Sequence, residues 1–224
     1  MKEWNLSIPA TESQVRELSA GDVVYLSGRM HTLRDMGHRR ALEMLDRGEV
    51  LPFDLRGGCI WHCGPIVRKE QGGWRFVSAG PTSSSRFSAL GTELIRRLGV
   101  RFTVGKGNMG KGATEAMRET GSVYLVATGG CAAVYAKRVQ RVEEVHWLEL
   151  GVPEAVWVVH AQRMGPLVVG VDAQGRSLAD DCQEEARTRL RLIFGRLGID
   201  GGRRCVWWPK QTIGSESVQV DHSS

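Results

Sequence analysis

No apolar run in the chain approaches the roughly 20 residues that a bilayer-spanning helix needs; the longest are Val156–Val159 and Leu167–Val171. The opening Met1-Lys2-Glu3-Trp4-Asn5 is polar at once and has no signal-peptide core, so a cytoplasmic location is expected. Cysteines are few and odd in number: Cys59, Cys63, Cys131, Cys182 and Cys205. That argues against a disulfide framework. Only Cys59 and Cys63 are close together, and His62 between them makes a metal site conceivable. The segment also alternates as an apolar strand does, where cysteine is a small buried hydrophobe, and spacing supplies no further ligands. No metal site is therefore expected in this chain.

Other absences narrow the function. A net charge of +5 raises the question of nucleic acid, but the basic residues are scattered, with small clusters at Arg39-Arg40, Arg96-Arg97 and Arg187–Arg191. Zinc-finger spacing, an aromatic RNA-binding signature and a long basic arm are all missing. A solvated surface with local anion sites is the expectation. There is no Ser-x-His or Cys–His pairing to suggest a nucleophile with its base, and no His/Asp/Glu cluster at metal-ligand spacing. If the chain takes part in catalysis, the electrophile lies elsewhere.

What is present is an ordinary globular composition, 42% hydrophobic and 25% charged, in a chain long enough for one substantial core with an appended tail. The pattern predicts strands at Val23–Ser27, Cys59–Cys63, Trp74–Ala79, Arg101–Val104 and Val123–Ala127. Two late strands, Ala155–His160 and Leu167–Val171, should flank a turn. Helices are expected over Arg34–Leu45, Leu90–Leu98, Ala113–Glu119 and Ala132–Arg138, with a charged one over Leu178–Leu197. Strands alternating with helices indicate a mixed α/β domain over residues 1–180. Residues 181–224 read as a helical extension and flexible tail carrying one aromatic island, Val206-Trp207-Trp208-Pro209.

Three glycine-bearing segments each follow a strand and precede a helix: Gly80–Arg86, Gly105–Gly110 and Gly129–Ala132. Backbone N–H groups and helix N-termini converge on anions in such places. Hydroxyls from Thr82, Ser83, Ser84 and Ser85 add donors, and Arg86 and Lys106 add positive charge. A dicarboxylate calls for about this equipment, arginine forks with a point-charge lysine. Ordinary turns and caps would also use these residues, and neither of the first two segments matches a P-loop.

The segments also resemble, in order, the beta subunit of class I fumarate hydratase and L(+)-tartrate dehydratase. The matching stretches are Arg34-Asp35-Met36-Gly37-His38, Phe53-Asp54-Leu55 with Gly64-Pro65-Ile66-Val67, and Ala79 to Arg86. Val104 to Gly110, Glu149 to Trp157 and Gly165 to Asp172 complete them. The resemblance, from about Leu18 to Leu178, implies a three-layer β/β/α swivelling domain. It implies a heterodimer or heterotetramer with an alpha subunit that holds a [4Fe-4S] cluster, whose open iron is the missing Lewis acid. The expected activity is hydro-lyase, fumarate to (S)-malate, or alternatively L-tartrate to oxaloacetate; a non-catalytic dicarboxylate-binding module is the reading from another class. On this resemblance Arg34 and Arg86 grip the carboxylates, Lys106 completes the anionic pocket, Thr82 helps move a proton and Ser83 contacts substrate. His38 orients Arg34, touches substrate, or is structural. Ser83 stands where the family usually has threonine, and Phe87 where it usually has methionine, which would add bulk beside Arg86.

Overall fold

The computed structural model describes residues 1–199. Residues 1–181 pack as one unit, and a second begins at Cys182. In the first, β1 (Glu3–Ile8) leads into the short helix α1 (Glu12–Arg16). Thr11 caps α1 in a capping box with Gln14, each satisfying an N–H group of the other. Then come β2 (Val23–Thr32), α2 (Asp35–Asp46), β3 (Cys59–Trp61), and the hairpin β4 (Ile66–Glu70) and β5 (Gly73–Ser78). A 3-10 turn over Ser84–Phe87 opens α3 (Ser88–Leu98), followed by β6 (Phe102–Gly105), α4 (Lys111–Thr120) and β7 (Val123–Val126). The unit continues through α5 (Ala132–Ala136), β8 (Val139–His146) and β9 (Val156–Val171) to the start of α6 (Leu178–Leu197).

Two long strands organise the sheet. β2 and β9 run antiparallel along most of their length. The other edge of β2 is shared by β1 and β3, both parallel to it. β3, β6 and β7 continue in parallel, and β7 returns to pair antiparallel with β9, so the pairings close into a ring. β8 covers the remaining edge of β9.

Period-two alternation divides the strand residues between the two faces. Cys59 and Trp61 of β3, Val123 and Leu125 of β7, and Trp157 and Val159 of β9 point into one core. Ile60, Val156 and Val158 face the other way, onto Leu33, Ala41 and Leu94 of the helical side. Tyr124 and Val171 face Ile95, Ala113 and Met117 from α3 and α4. Trp157 is fully buried, meets the Trp74 ring edge-on at 5.5 Å, and donates its Nε1–H to the Val152 carbonyl at 2.9 Å. A buried indole with its N–H satisfied thus anchors the loop that carries Glu154.

The late segment differs from expectation: β9 is one strand, not two flanking a turn. Arg163 takes a positive φ of 47°, and the pairing with β2 shifts register there. The strand is bulged at Arg163–Pro166 and its ladder resumes at Leu167. β1, β4 and β8 were not expected from the sequence. Among the described residues no helix is long and apolar enough to cross a membrane. The second unit continues α6, where Glu185 and Arg189 pair one turn apart. The tail with its Val206–Pro209 island lies outside the described residues.

Candidate active site

β2, β3, β6 and β7 are mutually parallel, so their C-terminal ends share one edge. Arg34, His62, Lys106 and Thr128 follow those ends within a few residues. The Pro81–Arg86 segment is stapled across the same edge. Thr82 N–H donates to the His62 carbonyl at 2.7 Å, Lys106 N–H to the Thr82 carbonyl at 3.1 Å, and Ser84 N–H to the Lys106 carbonyl at 2.9 Å. The third glycine segment joins through Ala79 N–H, which donates to the Ala132 carbonyl at 3.0 Å, and the Lys106 stem runs beside Gly129. All three segments singled out in the sequence meet in one place, where parallel sheets bind ligands.

Arg34 caps α2 in extended conformation, and its side chain is 21% exposed. A Cβ on Gly64 would stand 2.6 Å from Arg34 Nη1 and 3.0 Å from the Pro153 carbonyl, so only glycine lets the guanidinium lie there. Glu154 braces this corner: Oε2 accepts Met36 N–H at 2.8 Å and Oε1 lies 3.3 Å from Arg34 Nε. The second contact is an ion pair without hydrogen-bond alignment, which leaves buried Nε with no hydrogen-bond partner among the described residues. Asp35 sits between the two arginines. Its Oδ2 accepts from Arg86 Nη2 at 2.7 Å and lies 3.9 Å from Arg34 Nη2. Arg86 is half exposed and Lys106 exposed, while Thr82 and Ser83 are partly buried. Three cations against two carboxylates leave the cluster net positive.

Two residues singled out in the sequence are buried behind this cluster. His38 is fully buried, stacks on Phe87 with ring centroids 5.0 Å apart, and binds the Arg34 carbonyl through Nδ1 at 2.8 Å. Burial lowers its pKa to about 4. Placed so, it holds the first turn of α2 and presents no surface to a ligand. Phe87 is also fully buried against His38 and His62, and its ring lies under the Arg86 guanidinium at 5.9 Å, so its bulk does stand beside Arg86.

Three further side chains join this cluster in roles that no motif marks. Glu154 lies 120 residues from Arg34, and no local pattern joins them. Ser84 looked like its hydroxyl neighbours. His62 carried a usable signal: alternation puts it on the face of Ile60, toward the helices, and away from Cys59 and Cys63.

Among the described residues the donor set does not fit an iron–sulfur cluster. Cys59 and Cys63 are fully buried in the apolar core, where burial pushes both thiols well above their ordinary pKa. Thiolate ligation calls for the opposite shift. Among the described residues no three His, Cys, Asp or Glu side chains group as metal ligands. A recess of about 730 Å³ beside Leu45, Phe53, Arg56 and Arg97 shares no residue with the cationic cluster.

Fold and cluster together define an α/β domain with a net cationic, hydroxyl-lined cluster at the C-terminal edge of its parallel strands. The chain matches the family profile described as fumarase C-terminus over residues 1–182. It is 40% identical to the L(+)-tartrate dehydratase subunit beta of Escherichia coli K12, over 77% of this chain and 85% of that one. A Methanocaldococcus jannaschii protein provisionally given the same subunit name is 41% identical, over 83% of this chain and 95% of that one. A provisionally named class I fumarate hydratase of Geobacillus stearothermophilus is 39% identical over 83% of this chain, and the match spans 35% of that longer protein. The chain belongs to the fumarase C-terminus family.

Proposed function

We propose that this chain is the beta subunit of a two-subunit hydro-lyase that interconverts fumarate and (S)-malate. The observation carrying the proposal is the convergence of Arg34, Thr82, Ser83, Arg86 and Lys106 on one edge of the parallel strands, in a chain of this family. Arg34 and Arg86 bind the two carboxylates, Lys106 adds a point charge, Ser83 contacts substrate and Thr82 takes part in proton transfer. A threonine hydroxyl is a weak base alone, so Lys106 or a partner carboxylate assists it. His38 acts from behind, on Arg34.

The ring of strands with a helical flank supports reading residues 1–180 as the β/β/α swivelling domain, with residues 181–224 as its extension. We assign the [4Fe-4S] cluster to an alpha subunit, because buried Cys59 and Cys63 do not suit it and no three ligands group among the described residues. The relative in which the matched part is 35% of a longer chain supports a partner in a heterodimer or heterotetramer. The relatives named tartrate dehydratase make L-tartrate the other substrate to try.

The test is to reconstitute the complex anaerobically and assay fumarate, (S)-malate and both tartrates, with iron and sulfide measured on the isolated chain. Turnover of fumarate by the complex, with an iron-free inactive isolated chain, is expected. Turnover of L-tartrate alone would move the assignment to the dehydratase. Dicarboxylate binding without turnover would leave a binding module, and a stoichiometric cluster on the isolated chain would contradict the division of labour.

A further inference from the structure

Behind the Thr82–Arg86 segment lies a row of buried polar groups. Ser84 turns its hydroxyl inward and has no exposed surface. Tyr124 O–H donates to Ser84 Oγ at 2.9 Å, and Ser84 Oγ is 2.8 Å from His62 Nδ1. With Tyr124 donating, the acceptor for the Ser84 proton is His62 Nδ1. His62 must then carry its own proton on Nε2. His38 is the reverse. Its Nδ1 lies 2.8 Å from the Arg34 carbonyl, which can only accept, so the proton is on Nδ1 and Nε2 is bare.

Both Nε2 atoms are buried and without a hydrogen-bond partner among the described residues. One is a donor and the other an acceptor, and the two rings are 5.2 Å apart between centroids. Phe87 lies against both, at 5.0 and 4.5 Å, and shields them from bulk solvent. Orphaned polar groups are costly in such a place, so a small ring rotation or one buried water joining them relieves both. Burial holds the His38 pKa near 4 and that of His62 well below its ordinary value, so both rings are neutral at neutral pH. Gly105 makes room for the row, since a Cβ there would lie 1.9 Å from Ser84 Oγ and 3.1 Å from His62 Nδ1.

We infer that Tyr124, Ser84, His62 and His38 form one directional hydrogen-bond chain that ties the Thr82–Ser83 loop to the backbone of Arg34. The four are positioning residues: they touch no substrate, and they fix the distance between the proton-transfer hydroxyl and one carboxylate grip. This role rests on the functional proposal above; the chain of tautomers does not.

The experiment has two arms. Long-range proton–nitrogen NMR of the full chain at neutral pH reads each histidine tautomer. Opposite tautomers are expected, with His38 protonated on Nδ1 and His62 on Nε2. The same nitrogen protonated in both rings, or an imidazolium in either, would overturn the inference. In the reconstituted complex, Ser84→Ala should lower kcat about ten- to a hundred-fold by misplacing Thr82, with KM changed little. An unchanged kcat, or a loss confined to KM, would refute the positioning role. A wild-type complex without hydro-lyase turnover would sink the functional proposal instead, and the tautomers would still decide the chain.

Discussion

Thr82, Ser83 and Ser84 are consecutive hydroxyls, yet the first two are partly exposed beside Arg86 and Lys106 while the third is fully buried on His62 and Tyr124. One residue type does two jobs, set by which side of the loop it occupies. The front is cationic and open, and it can exchange partners with a ligand. The back is neutral and buried, and the bonds in it fix position. The two arginines divide similarly: Arg34 is packed over Gly64 and braced by Glu154, whereas half-exposed Arg86 is held by Asp35.

The largest effect should come at the front. Thr82→Val keeps the shape and removes the hydroxyl, so kcat in the complex should fall roughly a hundred-fold or more, the scale of general-base assistance. Exchange of the carbon-3 proton should fall with it; exchange at the wild-type rate would move the base to the partner subunit. Gly64→Ala probes the braced arginine, because its methyl would collide with the guanidinium. Losing one charge-assisted contact, roughly 1.5–3 kcal/mol, should lower kcat/KM about ten- to a hundred-fold. Unimpaired kinetics would mean that Arg34 can bind from another position. Ser83→Ala removes an interaction equal in ground and transition states, so KM should rise about ten-fold with kcat nearly kept. A drop in kcat instead would give Ser83 a share of the proton transfer. Ser83→Thr should be tolerated.

The back should reveal itself in acid, with little effect at neutral pH. His38 titrates near 4 when folded, against 6.5 ordinarily, and desolvation is the main cause. As pH falls, the unfolded chain takes up this proton first, so stability is lost between about 6.5 and 4. The loss approaches roughly 3 kcal/mol for this group. Denaturant titrations across that window should show the slope, to which buried His31 and His62 add, and His38→Gln should remove its own share. An unchanged slope would mean that His38 is already solvated.

Much of this was legible from the residues. The parallel strands and their helices have apolar faces at the expected periods, and the glycine loops fell between them. Of the strands missed, β4 and β8 carry much charge and little burial, as in Arg141, Glu143 and Glu144 of β8. β4 and β8 lack the apolar alternation that marks a core strand, whereas β1 has it in Trp4, Leu6 and Ile8 over only six residues. Arg163–Pro166 resembles a turn locally, and only pairing with β2 keeps it in a strand. The site residues Arg34, Thr82, Ser83, Arg86 and Lys106 stood out because motifs and charge mark them. What holds them did not. Glu154 and Tyr124 reach the cluster through the fold alone, and His38 was visible without its burial.

The central claim is that two arginines of this chain each hold one carboxylate of the same ligand. Inhibition of the reconstituted complex by succinate, which has both carboxylates but neither hydroxyl nor double bond, tests it apart from the chemistry. Arg34→Lys and Arg86→Lys each keep the charge and lose the planar fork. Each should weaken succinate about ten-fold or more, with the larger loss at Arg34. Wild-type succinate inhibition in both variants would contradict the account.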